Sequence, residues 1–349
     1  MAMTLPIPIT SLPITLAESG WIPDALIRLG IRKLVKQRLR EEQAQPATVK
    51  AQRLRELRES PVALHTDTAN EQHYEVPTGF FQLALGARLK YSACIFPKPY
   101  STLDEAELHT LKLYRERMDI QPGQRVLDLG CGWGSFTLWL AEMEPHVHIT
   151  AVSNSVTQRE FILGRAKALN LKNVDVITGD VNELELPHDT FDRAISVEMF
   201  EHVRNYATLM ARISGWLKRD GVLFTHIFCH KEHLYPFEVK GEDDWMSRYF
   251  FTGGLMPAVD TLTHFQDDLA LDTRWVHDGR HYERTARAWL ENMDRHEDAV
   301  VDNLRAAYGD AVDVWQQRWR MFFMACEEMF AYDRGREWQV AHYRFRNKR

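Results

Sequence analysis

The pattern of apolar and polar positions changes character near residue 105. Upstream, residues 24 to 41 repeat apolar side chains at helical spacing among many Lys and Arg residues, which predicts an amphipathic helix. Downstream, short β-branched segments alternate with helical segments, which predicts a parallel sheet wound by helices on both faces. The predicted strands are 125–129, 148–152, 174–178, 191–197 and 222–228, and the predicted helices are 103–118, 136–142, 158–169 and 206–217.

The last third of the chain has a different pattern. Residues 235 to 290 are rich in aromatic and acidic side chains without a regular period, so irregular structure is expected there. Residues 288 to 330 return to helical spacing, and the ending WQVAHYRFR alternates as a last strand would. We therefore predict an N-terminal helical extension over 1–70 and an α/β domain over 71–349, with a lid inserted at about 230–330.

The basic helix at 24 to 41 has two interpretations. It could lie on an anionic membrane surface, with its apolar stripe in the lipid. It could also pack that stripe on the protein body and leave its charges in solvent, which is the commoner use of a charged helix face. We favour the second interpretation and keep peripheral membrane contact as the alternative.

Charge and cysteine content narrow the class of protein further. A formal net charge of −6 does not suit a general nucleic-acid binder, so no nucleic-acid partner is expected. Four scattered cysteines without a CxxC pair suggest a reducing cytoplasm. The proline-broken amino terminus does not resemble a signal peptide, and no apolar run approaches the ~20 residues of a membrane span. Oligomeric state stays open, and a homodimer is one option.

A glycine turn follows the first predicted strand, in the segment VLDLGCGWG at 126–134. The dinucleotide fingerprint needs a further glycine where Ser135 stands, and an acid after the second strand, which ends AVSNS. Nicotinamide binding is therefore disfavoured. Asp128, just before the glycines, suits an ammonium group such as the methionine end of S-adenosylmethionine, and Asp180 suits the adenine amino group. For both acids, simple turn capping is the competing interpretation.

Several longer segments carry a resemblance to a known family. VLDLGCGWGSFTLWLA, AVSNSVTQREFI, SVEMFEHVRNY and EDDWMSRYFFTGGLMP resemble the coclaurine N-methyltransferase branch of the cyclopropane-fatty-acyl-phospholipid synthase family. The match runs from about His73 to the carboxyl terminus. It implies a class I methyltransferase with a Rossmann-like doubly wound sheet, mostly parallel with an antiparallel last strand, a helical substrate lid, and S-adenosylmethionine as cofactor.

The resemblance also implies which residues hold each part of the cofactor. They are Tyr91 and Ser92 for the methionine end, Gly130 and Gly132 for the turn, Asn154 and Gln158 for the ribose and its neighbours, and Asp180 with Val181 for adenine.

A cluster of acid and base groups follows the fourth predicted strand. If a helix started there, the spacing of Glu198, Glu201 and His202 would put all three on one face. An amine acceptor must present a free lone pair, and a nearby carboxylate or imidazole can take its proton. The resemblance implies that Glu201 is the base and that His202 helps to position the acceptor. A capping network at a helix start is the competing interpretation.

Aromatic residues suit an acceptor that becomes cationic. Most aromatic side chains at helical spacing belong to a core, so only Tyr332 and Trp338 are singled out for acceptor binding. The other candidates are Tyr235, Phe237, Trp245, Phe250, Phe251, Tyr282 and Phe330.

Two other functions compete with amine methylation. A cyclopropane synthase would act on unsaturated lipid chains, and Glu201, His226 and Tyr282 resemble positions of that branch's bicarbonate pocket. Ala93 stands where its cysteine is expected, with Cys94 next to it. A scaffold that only senses the cofactor is the third candidate, and the intact motifs argue against it.

The spacing of His226, Cys229, His230 and His233 imitates a metal site. On a strand, 226 and 230 share one face while 229 points the other way, so no metal is expected.

Overall fold

A computed structural model describes residues 12–64, 76–241 and 244–349. Within these residues a seven-stranded sheet forms the centre of the protein, in the order β3-β2-β1-β4-β5-β9-β8, and β6 and β7 form a separate two-stranded ribbon. The strands are β1 Arg125–Leu129, β2 His148–Ser153, β3 Val174–Thr178, β4 Phe191–Val197, β5 Leu217–His230, β6 Tyr235–Pro236, β7 Leu255–Met256, β8 Leu269–Asp278 and β9 Trp338–Asn347.

Helices cover both faces of this sheet. They are α1 Leu12–Glu18, α2 Asp24–Gln43, α3 Thr48–Glu59, α4 Thr78–Ala84, α5 Leu103–Met118, α6 Ser135–Met143, α7 Val156–Ala168, α8 Tyr206–Trp216, α9 Trp245–Tyr249, α10 Arg280–Arg295, α11 Glu297–Tyr308 and α12 Val312–Ala331.

Strand direction confirms the predicted fold class. Strands β1 to β5 pair in parallel, whereas β9 runs antiparallel to both β5 and β8. Successive residues of the buried strands point to opposite faces. Val126 and Phe224 therefore pack under α5 and α6, and Leu127 and Leu223 pack under α8. The central strands are buried on both sides, as is typical of an α/β fold.

The expectation of irregular structure over 235–290 is wrong at β8 and at the first half of α10. Strand β8 lies at the edge of the sheet, where Arg274 is exposed and Thr273 and His277 are half-exposed. Polar residues on an edge strand weaken the apolar alternation by which strands are recognised in a sequence. The predicted division into an extension, a domain and a lid remains a prediction.

Helix α2 packs on α12, as the favoured interpretation of the basic helix expects. Arg28 donates to Glu327 at 2.8 Å and to Glu328 at 3.0 Å, and Arg32 donates to Glu328 at 2.5 Å. Part of the positive charge of α2 is thus paired with carboxylates of α12. Contact of α2 with a membrane stays a prediction. No helix in the described ranges is long and apolar enough to span a bilayer. Residues 1–11, which include most of the segment judged against a signal peptide, and 65–75, which include His73, lie outside the described residues.

Candidate active site

The turn after β1 depends on glycine for two reasons. Gly130, Gly132 and Gly134 have φ values of +80°, +53° and +75°, which side chains rarely tolerate. A Cβ on Gly130 would lie 2.7 Å from Met199 Cγ, so the turn also packs tightly against the segment after β4. A Cβ on Gly132 would meet no atom within 4 Å, which leaves this glycine facing open space. The turn therefore presents bare backbone to a ligand.

One cavity opens at the carboxyl ends of β1, β2 and β4, where parallel α/β sheets bind ligands. The structure brings together around it all the residues that the sequence assigns to the cofactor. They are Tyr91, Ser92, Asp128, Gly130, Gly132, Asn154, Gln158, Asp180 and Val181. Glu198 and His202 line the same cavity. Contact of each residue with the cofactor stays a prediction.

Polar atoms in this cavity wall fit S-adenosylmethionine. Among the described residues, Gln158 Nε2 and Ser135 Oγ are buried without a hydrogen-bond partner, which is costly unless a ligand satisfies them. Asp128 accepts a hydrogen bond from Thr137 Oγ1 at 2.6 Å, and burial raises its pKa to about 6. A ligand ammonium group would stabilise the ionised form of this carboxylate.

The cavity does not suit a phosphate-bearing cofactor. Of the described residues that line it, Lys90 is the only lysine or arginine. Its Nζ already donates to Ser92 Oγ and to the Ala93 carbonyl, both at 2.6 Å, and burial lowers its pKa. Lys90 therefore stabilises the 90–94 segment, which carries Tyr91 and Ser92 into the cavity wall. The sequence reasoning missed this role, because a single lysine in an irregular segment gives no signal.

Glu198 lines the cavity, and hydrogen bonds from the protein hold its carboxylate in one orientation. Its Oε1 accepts from Ala93 N at 2.9 Å and from His226 Nε2 at 3.1 Å, and its Oε2 accepts from Tyr282 OH at 2.8 Å. The residue has φ +47°, a left-handed conformation that costs a side-chain-bearing residue about 1 kcal/mol or more. Strain of this kind is common where function fixes a side chain.

The predicted helical face for Glu198, Glu201 and His202 is wrong. Only a single 3-10 turn, Phe200–His202, follows the strand, and α8 begins later at Tyr206. The three side chains are placed separately, because a turn this short after a left-handed residue does not bring positions three and four apart onto one face.

Glu201 lies behind the cavity wall and is completely buried. Its Oε1 accepts from Phe228 N at 2.7 Å, whereas its Oε2 is without a hydrogen-bond partner among the described residues. Burial, followed by the negative charge of Glu198, raises the pKa of Glu201 well above its ordinary value. The two carboxyl groups therefore have opposite environments: one is held by three donors and the other is destabilised as an anion.

Aromatic rings continue from His202 across the lid side of the site. We call Phe228, Phe237, Phe251, Tyr282 and Phe330 the aromatic layer. Its ring centroids lie 4.4 to 6.4 Å apart along the contacts between its members. The His202 ring joins it, 4.7 Å from that of Phe251.

The two aromatic residues singled out for acceptor binding do not line the cavity. Trp338 is buried, donates from Nε1 to Tyr235 OH at 2.9 Å, and packs edge-on against Tyr332 with centroids 5.6 Å apart. Acceptor contact by Tyr332 and Trp338 stays a prediction.

His226 and Tyr282, the other two residues predicted to bind substrate, both contact Glu198 and do not line the cavity. The donors that the lipid alternative would offer to bicarbonate are thus already used by a carboxylate of the protein. Cys94 is buried, and burial raises the pKa of its thiol to about 12, so the thiol carries no negative charge. This arrangement counts against a bound bicarbonate ion.

The cluster that imitates a metal site separates as strand geometry predicts. His226 faces Glu198 and the neighbouring His342, whereas Cys229 lies in the core on the other face of the sheet. Nowhere in the described ranges do three His, Cys, Asp or Glu side chains come together as a metal site.

Fold and site together define a class I S-adenosylmethionine-dependent methyltransferase. Comparison with known proteins shows to which family the chain belongs. Residues 64–340 match the family described as "Mycolic acid cyclopropane synthetase", and the chain belongs to this family.

Several similar proteins are named as N-methyltransferases. The chain is 37% identical over 347 residues to (S)-coclaurine N-methyltransferase from Thalictrum flavum subsp. glaucum, covering 95% of this chain and 94% of that protein. It is 34% identical over 342 residues to pavine N-methyltransferase from the same plant, covering 95% of each. A crystal structure of coclaurine N-methyltransferase bound to N-methylheliamine and SAH is similar with a TM-score of 0.91, 35% identity, and coverage of 95% of this chain and 98% of that one. The cofactor is S-adenosylmethionine.

Proposed function

We propose that the protein transfers a methyl group from S-adenosylmethionine to the nitrogen of a small aromatic amine. The observation that carries this proposal is the carboxylate of Glu198, which lines the cofactor cavity, is oriented by three donors and borders the aromatic layer through Tyr282. An anion beside aromatic rings suits an acceptor that is cationic before and after the reaction.

The chemistry sets two tasks for the protein. S-adenosylmethionine supplies an electrophilic methyl group on a positively charged sulfur. Transfer forms an N–C bond while the C–S bond breaks, so positive charge moves from sulfur to nitrogen. The acceptor nitrogen needs a free lone pair to attack, although a free aliphatic amine carries a proton at neutral pH. The site must therefore remove a proton and stabilise a new cation.

The two glutamates suit these two tasks. Glu198, anchored by three donors, stabilises positive charge on nitrogen without having to reorganise. Glu201, whose pKa burial raises, is assigned here as the proton acceptor; because it does not line the cavity, the proton reaches it through a bridging water. His202 lies in the cavity wall against Phe251 and orients the acceptor. Positioning of this kind contributes on the order of 10⁵ M in effective concentration.

Similar proteins support an amine over a lipid acceptor. The relatives compared above are N-methyltransferases by name, over nearly the whole chain. The lipid alternative depends on a bicarbonate pocket whose donors here contact Glu198. The description of the family is the one observation that leans toward lipid chemistry. No observation favours a scaffold that only senses the cofactor.

The test uses purified protein, methyl-labelled S-adenosylmethionine and three groups of acceptors: benzylisoquinolines, phenethylamines and polyamines. We expect label in the benzylisoquinolines, and little in polyamines, which lack an aromatic group. A benzylisoquinoline analogue with oxygen in place of the ring nitrogen is the matched control and should stay unlabelled. Label in unsaturated phospholipid vesicles, and in none of the amines, would contradict the proposal.

A further inference from the structure

Glu198 is the end of a buried hydrogen-bonded chain that begins outside the cavity. His226 of β5 and His342 of β9 are direct partners in the antiparallel register, and His342 Nε2 lies 2.9 Å from His226 Nδ1. Arg117, near the end of α5, hydrogen-bonds to His342 Nδ1. Neither Arg117 nor His342 lines the cofactor cavity. The chain therefore crosses from the β8–β9 edge of the sheet to the active site.

Arg117 and Glu198, at the two ends of the chain, set the direction of every hydrogen bond between them. A guanidinium group is always a donor, so His342 Nδ1 must accept. A neutral imidazole that accepts at Nδ1 carries its hydrogen on Nε2, so His342 donates to His226 Nδ1. By the same logic His226 carries its hydrogen on Nε2 and donates to Glu198 Oε1, 3.1 Å away.

Both imidazoles are neutral at physiological pH, as this logic requires. Burial lowers the pKa of His226 to about 4 and holds that of His342 well below its ordinary value. Tyr114 OH lies 2.6 Å from the same Nδ1, whose single lone pair it shares with the N–H of His342. The charged or titratable groups facing the chain are Lys90, Cys94, Tyr114, Arg117, Glu198, Glu201, His277 and Tyr282.

We infer that Arg117 is a positioning residue for the active site, which acts through His342 and His226 to keep an N–H directed at the Glu198 carboxylate. Its guanidinium also hydrogen-bonds to His277 Nε2 at 3.1 Å and lies 4.5 Å from the Trp275 ring, so it is held in place. The effect on methyl transfer rests on the proposed function, whereas the tautomers do not.

Without Arg117 the chain loses the donor that fixes its direction at one end, and only Glu198 and Tyr114 still hold the tautomer of His226. His342 and His226 could then both carry hydrogen on Nδ1, which would turn the lone pair of His226 Nε2 toward Glu198. A lone pair facing a carboxylate is repulsive, so the carboxylate would be displaced or would take up a proton. Either change weakens the stabilisation of a cationic acceptor.

The direct test is the ¹⁵N NMR spectrum of histidine side chains in the full-length protein, which distinguishes Nδ1–H from Nε2–H tautomers. Signals are assigned with His226→Gln and His342→Gln. We expect both histidines to be Nε2–H in the unaltered protein, and Arg117→Met to convert His342 at least partly to Nδ1–H. Arg115→Met, on the same helix in a surface ion pair with Glu144, is the matched control and should change neither signal.

Kinetics give the second readout. Arg117→Met should lower kcat about ten- to hundredfold, as loss of a hydrogen bond to a charged group does, and should move the acidic limb of the pH–rate profile to higher pH. Arg117→Lys, which keeps a cationic donor, should restore part of both. An Nδ1–H tautomer for His342 in the unaltered protein would overturn the inference, as would unchanged tautomers in Arg117→Met. Expected tautomers without methylation of any amine would instead refute the proposed function alone.

Discussion

Glu201→Gln is the substitution that best separates chemistry from packing at this site. The amide oxygen of glutamine can keep the hydrogen bond from Phe228 N, which measures 2.7 Å. The side chain keeps its size in a fully buried place, so the fold is retained. What disappears is the capacity to accept a proton.

The expected loss of rate is about 10²- to 10⁴-fold in kcat at pH 7, the usual contribution of a general base. The loss should shrink as pH rises toward the pKa of the free amine, because the acceptor then arrives with its lone pair free. A purely structural role for Glu201 would give a loss independent of pH.

Stability gives an independent check with a defined sign. Burial raises the pKa of Glu201 in the folded state above its ordinary 4.5. The wild-type carboxyl therefore contributes stability that is fully present below about pH 4.5 and is lost as pH rises through the folded-state pKa. Glutamine does not titrate, so the stability of the variant relative to wild type should improve from pH 5 to pH 8.5. The improvement should be about 1.4 kcal/mol for each unit by which the folded-state pKa of Glu201 exceeds pH 5.

The assays are SAH release across pH 6.5 to 9.5 and urea unfolding at pH 5, 7 and 8.5. Glu42→Gln is the matched control, because Glu42 is a buried carboxyl on α2 whose partner is Arg53, and neither residue lines the cavity. It should retain most of the activity. A Glu201→Gln variant with wild-type kcat at pH 7 would refute the assignment of Glu201 as proton acceptor.

Three further substitutions test other parts of the site. Gly130→Ala places a Cβ at φ +80° and 2.7 Å from Met199 Cγ, so calorimetry should show S-adenosylmethionine affinity reduced at least tenfold. Asp128 has a pKa of about 6, so affinity for S-adenosylmethionine should rise from pH 5 to pH 7.5; Asp128→Asn should bind more weakly and without this pH dependence. Tyr282→Phe removes one of three donors to Glu198 and should lower kcat about tenfold in steady-state assays, with cofactor affinity by calorimetry unchanged.

Much of the fold follows from the sequence because the central strands are buried on both faces. Runs 125–129 and 191–197 are bounded by turn residues and match the observed strands at both ends. Strand β3, at one edge of the sheet, was recognised because four of its five residues are β-branched. Strand β8 escaped detection because an edge strand exposes every second residue and carries charges there. The short 3-10 turn after β4 escaped because its start depends on the left-handed backbone of Glu198, which sequence spacing does not reveal.

The cofactor side of the site was more predictable than the acceptor side. Parallel strands bring their carboxyl ends to one edge, so residues that follow β1, β2 and β3 meet there as a rule. The contacts of Glu198 come from residues 93, 226 and 282, and the chain behind it from 117 and 342. Buried neutral histidines and a half-buried arginine have no sequence pattern that distinguishes them from ordinary surface residues. The register between β5 and β9, which pairs His226 with His342, appears only in the folded sheet.

We expect the methyl group to go to nitrogen and not to a lipid double bond. The most direct measurement is a competition in one tube, with ¹³C-methyl S-adenosylmethionine, a benzylisoquinoline and vesicles of unsaturated phospholipid, followed by ¹³C NMR. If nitrogen is the acceptor, one labelled N-methyl signal will appear, and it will be absent in the Glu198→Ala variant. A labelled cyclopropane methylene or C-methyl signal in the lipid fraction, with no N-methyl signal, would contradict it.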